Sequence, residues 1–194
     1  VLDTRLDGVL FALGTGIRAA GQRIDDAVAS GDYWCSDAIT DDECDFIEVL
    51  LGACFVACQV SIAAVVSRAM GLHKHLVDEG RPLSAFSDKK WSILRLGEAL
   101  DPGPLAKVAA LDAFANYFKH RDEWPASWDK VDDRSKGTVK KIRQVGATEG
   151  CTGNLRRASE ALGNPEYENP HVFGRIVRAW GEGLLERVRT ELGY

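Results

Sequence analysis

Apolar residues recur along this chain mostly at helical spacing. Leu6, Leu10, Leu13, Ile17 and Ile24 predict a first helix over Leu2 to Ala29, ended by Ser30-Gly31-Asp32. Thr40, with Glu43 three residues on, has the form of a capping box, so a second helix is expected from Thr40 to about Val77. Within it, Val49 to Ser67 runs without a charge. That is close to the length of a membrane span. Gln59, Ser61, Gly52 and two cysteines make it only mildly hydrophobic, and Glu48 and Arg68 bracket it, which favours a buried central helix instead.

After a linker at Glu79 to Leu83, a third helix is expected from Ser87 to about Leu100. Asp101-Pro102-Gly103-Pro104 breaks it, and Pro104 suits the first position of a fourth helix reaching Trp124-Pro125. Loop follows over Ala126 to Ser135, then short helices over Gly137 to Val145 and Asn154 to Leu162. A last helix, capped by Asn169 with Pro170 behind it, carries Phe173, Val177, Trp180, Leu184 and Val188 to Leu192. No βαβ alternation and no internal repeat is present. The expected fold is all-α: a helical bundle with long antiparallel central helices and extra shorter C-terminal helices. It forms one domain over residues 1–194, with its core in about 1–125 and a helical extension in 126–194.

Composition narrows the functional classes. With 194 residues, 45% of them hydrophobic, the chain can bury a core without staples. A net charge of −5 argues against a broadly basic nucleic-acid binder, though not against a local basic patch. The five cysteines, Cys35, Cys44, Cys54, Cys58 and Cys151, lack the spacing of a disulfide framework and read as free thiols of a reducing cytoplasm. Val1 to Leu13 lacks the basic region of a signal peptide and carries Asp3 and Asp7, so neither a signal peptide nor a membrane partner is expected. Cys54, Cys58, His73 and His75 lie too far apart along one helix to share an ion, so no metal site is expected. Gly146 to Gly153 is glycine-rich but lacks the Lys-Ser/Thr ending of a phosphate loop. Lys136, Lys140, Lys141, Arg143, Arg156 and Arg157 read either as phosphate contacts or as a salt-bridged surface. Trp124 and Trp128, on either side of Pro125, read as packing or as a platform for bases.

The fourth helix carries the most chemistry. On a helical wheel Val108, Leu111, Phe114, Ala115 and Phe118 share one side. Asp112, Asn116 and His120 form a polar stripe away from it, beside the small residues Ala109 and Ala113. His120 sits near the helix C-terminus between Lys119 and Arg121. Two readings stand: a hydrogen-bonded helix face, or a general acid/base His with nearby cations that could act on a phosphodiester.

Long antiparallel helices together with Asn116-Tyr117-Phe118-Lys119-His120 resemble the HEPN superfamily (higher eukaryote and prokaryote nucleotide-binding domains). Its motif is an Arg, a polar residue that is often Asn, a few residues and a His. Many members are metal-independent endoribonucleases of toxin–antitoxin, abortive-infection and other defence systems, and often dimerise with their motifs meeting at the interface. The resemblance implies Asn116 and His120 as catalytic residues and Lys119, Arg121, Asp112 and Tyr117 as substrate-binding ones. It implies a homodimer acting on RNA, without cofactor or metal, with a cognate toxin or antitoxin as possible partner. Ala115 stands where the family has Arg. A catalytically inactive interaction module of the regulator, antitoxin or immunity type is the alternative expectation.

Overall fold

The computed structural model describes residues 4–194, apart from the side chains of residues 4 and 33–35. The Cys35 thiol and the expected helix start at Leu2 therefore lie outside the described residues. The fold is all-α. Its helices are α1 (Thr4–Ala29), α2 (Tyr33–Asp78), α3 (Lys90–Leu94), α4 (Lys107–His120), α5 (Asp133–Gln144), α6 (Asn154–Ala161) and α7 (His171–Leu192). Single 3-10 turns cover Arg121–Glu123 and Trp128–Lys130.

α1 and α2 form an antiparallel hairpin about Gly31, whose φ of 73° is the left-handed conformation that glycine adopts without strain. Arg23 pairs with Glu43, and Gly16 lies against Leu50. Seven residues back along α1 thus correspond to seven forward along α2. Thr40 is interior to α2 rather than its cap, and Glu43 serves the Arg23 pair instead of a capping box. The 46 residues of α2 span about 69 Å, far beyond the end of α1. α7 covers the excess. It starts beside α1, where Pro170 meets Gly14 and Arg178 bonds Asp7 at 2.5 Å, and its Leu184 and Val188 line a groove with Val65 and Ala69 of α2.

By length and composition α2 could cross a membrane. One side of it carries Leu51, Cys54, Phe55, Cys58 and Ile62, which are buried in the core. The Phe55 ring lies 5.9 Å from Phe114 of α4 and 5.0 Å from Phe173 of α7, so three helices converge there. The buried cluster is continuous from Leu6 to Val188, and Ile142, Leu155 and Phe173 from the C-terminal segment belong to it.

The middle of the chain departs from expectation. The third helix is only five residues long. Leu100 N–H donates to Leu105 O at 2.7 Å and Lys107 N–H to Glu98 O at 2.8 Å. This turn uses the backbone that would have extended α3 and moves the start of α4 from Pro104 to Lys107. Asp132, accepting from Ser135 N–H at 2.8 Å, caps α5 and starts it earlier than Gly137. α6 has no side-chain cap of its own. The buried carboxylate of Glu48 on α2 accepts from its Leu155 and Arg156 N–H groups at 3.1 and 2.9 Å. A carboxylate at a helix N-terminus meets both the free donors and the positive end of the dipole.

α4 runs antiparallel to α2, with Phe118 over Gly52 and Asp112 beside Gln59. A Cβ at Gly52 would overlap the Phe118 ring. Gly52→Ala is therefore expected to lower stability by about 1–3 kcal/mol, read as a reduced urea midpoint. An unchanged midpoint would refute the close approach. Burial pushes the Cys54 thiol up to about 12 and raises Cys58 as well. At about pH 8, Ellman's reagent should modify exposed Cys151 in the folded protein, but Cys54 and Cys58 only after unfolding.

Candidate functional site

α4 is buried from Val108 to Ala115. A polar side chain there must be satisfied from within the protein. Asp112 is buried, and its Oδ1 accepts from Lys90 Nζ at 2.7 Å and from Gln59 Nε2 at 2.9 Å. The other proton of that amide nitrogen goes to Asn116 Oδ1 at 2.9 Å, and Gln59 Oε1 accepts from Lys119 Nζ at 2.7 Å. Lys90, Asp112, Gln59, Asn116 and Lys119 make one polar clasp joining α2, α3 and α4. The Asp112 end of the stripe is thus covered by this chain's own α2 and α3, and a second chain could reach only the Asn116–His120 end.

At that end the helix opens into a cavity of about 510 Å³. Asn116 and His120 line it from α4, Glu123 from the following turn, and Asp132, Arg134 and Thr138 from the start of α5. The amide nitrogen of Asn116 has no hydrogen-bond partner among the described residues. His120 is 48% exposed, with Nδ1 3.2 Å from Glu123 Oε2, which leaves its Nε2 open. Arg134 makes no ion pair among the described residues. Hydrogen bonds from Ser135 hold the Asp132 carboxyl below the usual carboxylate range, and the charges of Arg134 and His120 act in the same direction. A proton-transfer group, an amide and a free guanidinium therefore surround one space large enough for a phosphodiester.

The other residues singled out in the sequence lie elsewhere. Asp112 and Lys119 belong to the clasp. Tyr117 is buried, and its hydroxyl accepts from Asn154 Nδ2 at 3.1 Å. Arg121 lies with its guanidinium 5.5 Å from the centre of the Phe118 ring and borders a second cavity. Trp124 and Trp128 pack against Tyr117 and each other, with ring centres 5.6–5.9 Å apart. Sequence reasoning missed Gln59, Lys90, Glu123 and Arg134. Gln59 was detectable as the one long polar side chain in the uncharged run. Arg134 would have followed from reading Asp132 and Ser135 as a cap, which places it in the first turn of α5.

The chain matches no family model, no curated protein and no solved structure.

Removing the carboxylate of Asp112 strands Gln59 and Lys90 around a buried space. Lys90 is half exposed and rehydrates, so Asp112→Ala should cost about 2 kcal/mol. Denaturant unfolding measures the loss, and an unchanged midpoint would remove the clasp from the account of α4.

Proposed function

We propose that the chain is a HEPN-like, metal-independent endoribonuclease of a bacterial toxin or defence system, acting as a homodimer in the cytoplasm. The observation that carries this reading is the cavity where His120 and Asn116 of α4 meet Arg134 of α5. Arg134 offers, from another helix, the cation that Ala115 cannot. In the proposed reaction a ribose 2′-hydroxyl loses its proton and attacks the adjacent phosphorus. The 5′-oxygen leaves and takes up a proton, giving a 2′,3′-cyclic phosphate and a 5′-hydroxyl end. His120 carries one of these protons and the His120 of a second copy the other. Arg134 balances the charge that develops on the phosphorane oxygens, and the Asn116 amide orients the phosphate. Dimerisation beside the site is supported by the outer side of α2, where Phe46, Val49 and Val60 recur at helical spacing and are 43%, 46% and 67% exposed.

A second reading rests on Ala115, which is wholly buried, so that the family's Arg position belongs here to the core. On that reading the chain is a non-catalytic helical module that binds a cognate protein.

Labelled RNA incubated with the purified chain in EDTA separates the two. Cleavage to cyclic-phosphate ends is expected, with His120→Ala slowing it about 10²-fold or more and Arg134→Ala about 10²-fold, while circular dichroism stays unchanged. Intact RNA, unaffected by either substitution, would reject the nuclease and leave the binding module.

A further inference from the structure

A second cavity, of about 540 Å³, lies on the other side of Trp124 and Pro125, which also line the first. Tyr117 lines it from α4 and Arg121 from the turn that follows, each one residue beyond the Asn116 and His120 of the first cavity. Trp124 and Trp128 supply aromatic wall, and Asp45 and Asp122 stand at its rim. The indole Nε1 of Trp124, in the wall common to both cavities, is buried without a hydrogen-bond partner. Arg121 Nε is 3.8 Å from Asp122 Oδ1, beyond hydrogen-bonding distance, so both can still bond a ligand. Glu48 also borders the space, but the N-terminus of α6 already occupies it.

The chemistry of this lining is selective. Carboxylates repel a phosphate, so a nucleic-acid backbone does not belong here, whereas aromatic faces stack on bases. A guanidinium matches two adjacent acceptors, and a carboxylate matches two adjacent N–H donors. Guanine alone among the four RNA bases presents both: O6 and N7 along one edge, N1–H and the N2 amino group along another. Uracil sets its single N–H between two carbonyls, which a carboxylate disfavours.

We infer that this second cavity is a guanine site that holds the base next to the phosphate in the His120 cavity. Its place in an RNA substrate rests on the ribonuclease reading; its selectivity for guanine does not. Arg121 contacts O6 and N7, Asp45 or Asp122 accepts from N1–H and N2, and Trp124 forms the wall on which the ring stacks.

Guanosine and uridine titrated separately into the whole chain, followed by tryptophan fluorescence, test the site without any cleavage. Guanosine should bind about tenfold or more tightly than uridine. The Asp45→Asn/Asp122→Asn double variant, altered only at exposed positions, should lose that preference while keeping its helical content. Mapping cleavage ends on mixed-sequence RNA gives the second arm, with cuts expected beside G in the parent and no base preference in the double variant. Selective guanosine binding without cleavage upholds the guanine site and rejects the nuclease. His120-dependent cleavage with equal binding of guanosine and uridine, or a double variant that keeps the preference, overturns the guanine site and leaves the nuclease standing.

Discussion

A helix enclosed on nearly every side cannot turn freely about its axis, and the buried carboxylate of Asp112 fixes the angle at which α4 sits. The charge is tolerable because Lys90 and Gln59 meet it from two other helices. Any rotation of α4 would carry the carboxylate into the apolar cluster around Phe114 and Phe55. Asn116 and His120 lie one and two turns further along the same stripe. The clasp that satisfies Asp112 therefore also sets where these side chains emerge.

The second constraint is distance. Phe118 fits because position 52 has no side chain, which draws the end of α4 onto α2. The same stretch of α2 holds Glu48, whose carboxylate anchors α6, and Asn154 at the head of α6 bonds both Tyr117 and the 146–153 loop. One face of one long helix thus positions α4, α6 and the glycine-rich loop together. Ion pairs at the surface, such as Arg143 with Asp129, add little by comparison.

The all-α architecture was legible because helices this long repeat their apolar spacing many times. Boundaries were less so. Thr40 and Glu43 have the form of a cap, yet helix continues through them because Glu43 finds a tertiary partner in Arg23 that spacing within one helix cannot reveal. Pro104 suits a helix start, but a backbone turn pairing 98–100 with 105–107 holds it outside α4. In the site, residues on one helix were found and those arriving from others were not. Asp112, Asn116 and His120 share a stripe by arithmetic, whereas Gln59 is 53 positions from Asp112 and Arg134 is on a helix whose start was placed too late. The wheel also gives direction without depth, so it could not separate buried Asp112 from exposed His120.

That gradient in depth bears on chemistry. His120 lies against Glu123 in an exposed contact three residues apart, and such pairs are worth at most about 1 kcal/mol. In the proposed reaction the arriving phosphate, with Arg134 lining the same cavity, displaces it at small cost. The Asp112 contacts behave differently, since breaking them leaves a buried charge unpaired. The contacts that break at small cost thus lie at the outer end of the stripe. In the proposed reaction His120 exchanges partners while the residues that locate it stay still, and α4 suits both demands within two turns by running from the core to the surface.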